Sequence, residues 1–107
     1  GNRMSDIRKA IHARISEGPR KEIIEGLDTP VYFRRMRMDD YIAIRELNEL
    51  DEAGKAKALP RILATLLCDE SGKAVYDAAN EQDMNELGSL DLSMLVKLNE
   101  ALNKSPN

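Results

Sequence analysis

Residues 55–77 read KAKALPRILATLLCDESGKAVYD. Two patterns meet in this stretch. Leu59, Ile62, Leu63, Leu66 and Leu67 fall within an arc of about 140° at 100° per residue, which predicts an amphipathic helix from Lys55 to Cys68. It is the best candidate for the central buried helix. Pro60 is expected near its first turn, where a missing N–H costs little. Asp69-Glu70-Ser71-Gly72 then reads as a tight turn. Short polar side chains bond the local backbone there, and glycine supplies a positive φ. Val75 and Tyr76 are expected to return apolar groups to the core, and Asp77 to cap a helix from Ala78 to Leu87 that Gly88 stops.

Working outward, the rest of the chain supplies the cover for that helix. Ser5 is a candidate N-cap for a first helix, Ser5 to Ser16, in which Met4, Ile7, Ile11 and Ile15 form a narrow apolar stripe. Gly18-Pro19 ends it. Lys21 to Leu27 reads as a strand, Asp28-Thr29-Pro30 as a turn, and Val31 to Met36 as the returning strand. The expected hairpin has a loop slightly longer than the tightest type, and it must lie against helices because a lone hairpin is marginal in water. Asp39 or Asp40 opens a helix whose inner side carries Ala43, Ile44, Leu47 and Leu50, with Tyr41 at the edge. Asp51 to Gly54 breaks it. Ser89 or Asp91 caps a last helix, Leu90 to Asn103, and residues 104–107 are expected to fray. The reading is a small, mostly helical α+β fold with four to five helices and one β-hairpin. Residues 1–107 form one domain, with Gly1-Asn2-Arg3 set aside as an expression scar.

Composition narrows the function. The chain is 42% apolar and 33% charged, ordinary for a globular domain. No apolar run approaches the roughly 18 residues of a membrane span, and no leader pattern is present, so no membrane role is expected. One cysteine permits no internal disulfide, which fits a cytoplasmic location. Gly72-Lys73 fails as a phosphate loop, because position 67 is Leu and position 74 is Ala. Cys68 and His12 are too few for zinc, and a lone surface histidine gives a thiol nucleophile no base. The acidic turn at Asp69 lacks the oxygen spacing of a calcium loop. No enzyme activity, cofactor or metal is expected, and no catalytic residue is named. Cys68, placed on its helix away from the leucine arc, reads as a small buried hydrophobe.

Charge and apolar surface point instead to partners. Residues 1–37 hold nine Lys/Arg against five acids, a net of +4, while the remainder nets −7. Such asymmetry suits an anionic partner or contact between copies, but scattered solvated charge is the plainer reading. The last helix carries Leu92, Met94, Leu95, Val96, Leu98 and Leu102 over an arc of about 200°, roughly twice what one-sided packing needs. Either two neighbours of its own chain cover it, or another polypeptide covers the surplus. Arg34-Arg35-Met36-Arg37 beside Tyr32 and Phe33 could hold nucleic acid, but the chain is acidic and has no recognition helix, and strand arginines also guard edges against pairing.

Several stretches together resemble the tail assembly chaperones of long-tailed bacteriophages. These are the turn Cys68-Asp69-Glu70-Ser71-Gly72-Lys73-Ala74-Val75-Tyr76 and the strand Val31-Tyr32-Phe33-Arg34-Arg35-Met36. Asp39-Asp40 with Arg45, Ile7-Arg8-Lys9-Ala10-Ile11 near the start, and Leu98-Asn99 near the end complete the set. The resemblance runs from about Ile7 to Leu102. This chain departs from the family pattern by placing Val75-Tyr76 slightly off the expected apolar position and by having no Trp. The resemblance implies a non-catalytic protein of the bacterial host cytoplasm, active in phage or prophage morphogenesis. It would keep the helical tape measure protein soluble and help recruit tail tube protein. On that expectation Leu92, Met94 and Val96 touch the partner, and Arg34, Arg35 and Arg37 aid self-association. The alternative is a small regulatory or protein-interaction domain using the same helix. A nucleic-acid-binding regulator ranks behind both.

Overall fold

The spine of the molecule is the helix expected from its leucine arc. The computed structural model describes residues 3–104, with side chains from Ser5 onward. In chain order the elements are α1 (Arg3–Ile15), β1 (Arg20–Glu22), β2 (Val31–Phe33), α2 (Met38–Asn48), α3 (Glu52–Leu66), β3 (Leu67–Cys68), α4 (Glu81–Gly88) and α5 (Leu92–Leu102). The fold is α+β, with five helices and a three-stranded antiparallel sheet in the order β1-β2-β3.

Helix α3 starts at Glu52, three residues before the expected Lys55. Asp51, read as part of a break, is its N-cap, and its carboxylate accepts from the Gly54 amide at 2.8 Å. Gly54 lies inside the helix, and glycine suits it because a Cβ there would sit 2.9 Å from the Leu50 Cβ. Pro60 is therefore mid-helix and buried, not in the first turn, and α3 runs through it. Leu63 and Leu66 are 0% exposed and Ala64 is 1% exposed. These residues form the centre of the core.

At Leu67 the backbone turns extended, with ψ at 132°, and the helix becomes strand β3. Cys68 thus sits on a strand opposite Tyr32, not on a helix, although it is buried as expected. Sequence gave no sign of this third strand, since two residues are too few to show alternation. The turn that follows is the expected one. Asp69 Oδ1 accepts from the Ser71 amide, the Ser71 hydroxyl and the Lys73 amide at 2.7–2.9 Å, and Gly72 has φ +91°. Val75, however, is 57% exposed, and only Tyr76 returns to the core, its hydroxyl donating to Glu86 at 2.6 Å. Asp77 caps no helix but accepts from Ala79 in a short turn. Helix α4 begins at Glu81 with Asn80 as its N-cap.

The hairpin is real but shorter than read. Its register pairs Arg20 with Phe33, Lys21 with Tyr32 and Glu22 with Val31, so residues 23–30 form an eight-residue loop. The loop drops Ile24 into the core at 5% exposure and leaves Ile23 outside at 75%. Strand β2 stops at Phe33, and just past it the Arg34 amide donates to the Leu66 carbonyl at 2.9 Å on the β3 side.

Phe33 joins sheet to helices. It shares one core cluster with Ile24, Leu67, Leu87 and the α5 residues Leu95, Leu98 and Leu102. Arg20 pins the hairpin to the end of α5. Its guanidinium lies 5.8 Å from the Phe33 ring centroid and donates to the carbonyls of Ala101, Leu102 and Lys104 at 2.6–3.1 Å. These are the carbonyls a helix C-terminus leaves unpaired, so a cation there is stabilising. Lys104 is held by this contact and lies 3.6 Å from Glu22, against the expectation of fraying. The rest of the expected tail lies outside the described residues.

Helices α1 and α2 pack less than their sequences suggested. Helix α2 buries no residue fully. Ile44 leans on the core, but Ala43 and Leu50 are exposed. Helix α1 begins at Arg3, so Ser5 lies within it and caps nothing. Its stripe faces no core. Ile7, Ile11 and Ile15 are 57%, 55% and 73% exposed, and the side chain of Met4 lies outside the described set. Among the described residues no helix is long and apolar enough to cross a membrane.

Candidate protein-docking surface

Helix α5 is capped by Asp91, whose carboxylate accepts from the Met94 amide at 3.1 Å. This fixes the helix phase. Leu95, Leu98 and Leu102 then point inward, while Leu92 and Val96, one turn apart, point outward at 71% and 43% exposure. Asn99 continues that outward stripe and borders a groove of about 200 Å³ between α2, α3 and α5, floored by Leu47, Leu59 and Ile62. Two of the three apolar residues expected to meet a partner are therefore on the surface, while the α5 residue on the groove itself is Asn99. Met94 is the exception. It is half-buried beneath the 23–30 loop, with its Cε 3.0 Å from where a Gly26 Cβ would stand. Gly26 has φ +100°, so glycine is required there on both counts.

The three arginines separate. Arg34 is committed internally. Its two terminal nitrogens grip Asp40 at 2.6 and 2.8 Å, and its Nε donates to the Thr65 carbonyl at 3.1 Å. Hydrogen bonding to the guanidinium holds the Asp40 carboxyl below the usual carboxylate range, and the same bond raises Arg34. Asp40 also accepts from the Arg37 amide at 3.0 Å, which caps the start of α2. This clasp ties the exit of β2 to α2 and to the end of α3. Arg35 lies 3.2 Å from Glu17, which Arg14 also meets at 2.9 Å, and its enclosed Nε has no partner. Arg37 is exposed, and among the described residues no ion pair reaches it.

A larger feature lies beside these arginines. A cleft of about 1200 Å³ opens between the end of α1, the hairpin, α2 and the end of α5. Sequence reasoning named Arg34, Arg35 and Arg37 on its wall but missed Arg45, Tyr41 and Ile15. These come together from α1 and α2, and no spacing in the sequence announces it.

Chemistry within the chain is sparse. Among the described residues no cluster of three or more His, Cys, Asp or Glu could hold a metal ion. His12 is exposed on α1. The Cys68 thiol is pushed up by burial, with Asp69 adding to the effect, which disfavours the thiolate a nucleophile needs. No family model matches the chain, and neither a curated protein nor a solved structure is similar to it.

Proposed function

We propose that this chain is a non-catalytic protein-binding domain that serves as a tail assembly chaperone of a phage or prophage. In this role it binds the tape measure protein, helps recruit tail tube protein, and works in the bacterial cytoplasm. The observation that carries the reading is the outward pair Leu92 and Val96 on α5, whose stripe runs on through Asn99 to the Leu47–Leu59–Ile62 groove. An i, i+4 apolar pair beside a groove is the geometry that accepts an amphipathic helix. A tape measure protein is long and helical and offers such faces throughout. The ordered residues that resemble the chaperone family, from Ile7 to Leu102, supply the choice of partner.

The test is co-expression with a tape measure protein from a long-tailed phage. The chaperone should raise its soluble yield, and Leu92→Ser/Val96→Ser should lose that gain while keeping the wild-type melting temperature. If the double variant protects as well as wild type, the docking surface is elsewhere. If wild type gives no protection, the alternative of a regulatory or interaction domain using the same pair stands instead. A nucleic-acid role gains nothing from Arg34, whose charge Asp40 already matches.

A further inference from the structure

We infer that the cleft between α1 and α2 is a second docking site, and that it takes an acidic, amphipathic helix of another polypeptide. Its walls carry both chemistries such a ligand needs. The apolar part is Ile15, Met36, Tyr41 and Ile44, of which Ile15, Met36 and Tyr41 are 73%, 42% and 52% exposed. Arg20, Arg34 and Lys104 on the wall are paired with Glu22 and Asp40. The other cations are Arg14, Arg35, Arg37 and Arg45, and among the described residues the one acid on the wall is Glu17. Glu17 can offset only one charge of the Arg14–Arg35 pair that shares it. Among the described residues no ion pair reaches Arg37 or Arg45. About three positive charges therefore remain unmatched around an apolar floor.

The cleft does not end at its own rim. Ile15 lines it, and Ile11 and Ile7 continue the same face of α1 at i−4 and i−8. That face extends the apolar track by about 12 Å at 1.5 Å per residue. Arg8 and Arg14 flank the track, and α1 carries a single acid, Asp6. A volume of about 1200 Å³ exceeds the usual range for a small-molecule pocket, and it suits about two turns of a helix 10–12 Å across. Apolar residues of the ligand would lie along Ile7, Ile11, Ile15 and Met36, with its carboxylates turned toward Arg37 and Arg45. A nucleic-acid strand fits less well. Tyr41 is the only exposed aromatic on the wall, and single strands are held by stacking on several. The site is distinct from Leu92 and Val96, and the inference does not rest on the tape measure reading.

The test uses the full chain and a fluorescent synthetic helix of about 16 residues, four to five turns, with leucines on one face and glutamates on the others. A lysine version of the same peptide and a thymidine oligonucleotide serve as comparisons. Anisotropy titration should show the acidic peptide binding at least about tenfold more tightly than the lysine peptide. Arg37→Glu/Arg45→Glu and, separately, Ile11→Asp/Ile15→Asp should each weaken it by about tenfold or more. These side chains are exposed, and an unchanged melting temperature will show that the fold is intact. Leu92→Ser/Val96→Ser should leave the affinity as it was. The inference is overturned if the acidic peptide does not bind at roughly millimolar protein. It is also overturned if the lysine peptide binds as well, if the oligonucleotide binds more tightly than either, or if the α5 variant is the one that loses binding. Salt-sensitive self-association in sedimentation, abolished by Glu81→Lys/Glu86→Lys, would make the occupant a second copy and overturn the claim of a foreign partner.

Discussion

Removing the Asp40 carboxylate should unclasp the junction of β2, α2 and α3. Asp40 is 11% exposed and Arg34 32% exposed, so the pair stands between a solvated ion pair and a buried one. The first class contributes about 0–1 kcal/mol, and breaking the second costs about 3–5 kcal/mol. A bidentate pair at 2.6 and 2.8 Å in this intermediate setting is worth about 1.5–2 kcal/mol. Asp40→Ala also frees the Arg37 amide, a cap loss of about 1 kcal/mol. Arg34→Ala instead frees the Thr65 carbonyl. Each single variant should lose about 2–3 kcal/mol, and urea unfolding of the four-protein cycle should give a coupling of about 1.5 kcal/mol. For a chain of this size Asp40→Ala should melt about 10–20 °C lower. The clasp also has a pH signature. Asp40 binds its proton more weakly when folded, so its contribution is full above the ordinary carboxylate pKa of 3.8. It declines as pH falls from there through the lower folded value. Asp40→Asn should therefore flatten the acid limb of the stability profile. A coupling below about 0.5 kcal/mol, or an unchanged acid limb, would refute the clasp and return Arg34 to the pool of free surface charge.

Three further expectations follow from burial and backbone. Gly72→Ala and Gly26→Ala both force a side chain into positive φ, costing about 1 kcal/mol, but only the second also meets the Met94 Cε at 3.0 Å; chemical denaturation should rank Gly26→Ala as clearly worse. Leu63→Ala should cost about 2–5 kcal/mol while Ile11→Ala changes stability by less than about 0.5 kcal/mol, because the first side chain is sealed and the second is solvated. Cys68, 4% exposed and with its thiol raised by burial, should react with iodoacetamide at least about a hundredfold more slowly in native protein than in urea, and equal rates would show that β3 opens freely.

What the sequence revealed was local. The leucine arc of α3 and the Asp69–Gly72 turn were legible because period and turn chemistry act within a few residues. The surplus of apolar residues on α5 was legible too, but which of them stay outside was not: Leu92 and Val96 do, and Met94 does not. Events that depend on a distant partner were hidden. Leu67 and Cys68 extend the leucine run of α3, yet pairing with Tyr32 and Phe33 pulls them into a strand. Propensity yields to tertiary pairing there. Asp40 reads as one of two interchangeable helix starters, but the fold gives it Arg34, six residues back across the end of a strand. That choice removes Arg34 from any partner surface, which no count of arginines could show. Met94 counts with Leu92 and Val96 in that surplus, yet at 100° per residue it lies about 160° from each, and the loop at Gly26 covers it.

Helix α1 is where fold and function meet. It is 13 residues long, and none of its described side chains is in the core. Isolated helices of about 12–15 residues are marginal in water, since nucleation is costly and most helical stability comes from a packed face. Its isoleucines keep more than half their surface in solvent. Covering that remainder is worth about 1–2 kcal/mol for each, by area. Three of them together would supply about 3–6 kcal/mol, comparable with what a short helix lacks. Like charges on Arg8, Lys9 and Arg14 disfavour packing α1 against itself, so the cover that releases this energy is one that brings carboxylates. The same helix that adds nothing to the core is thus the element with most to gain from an acidic partner.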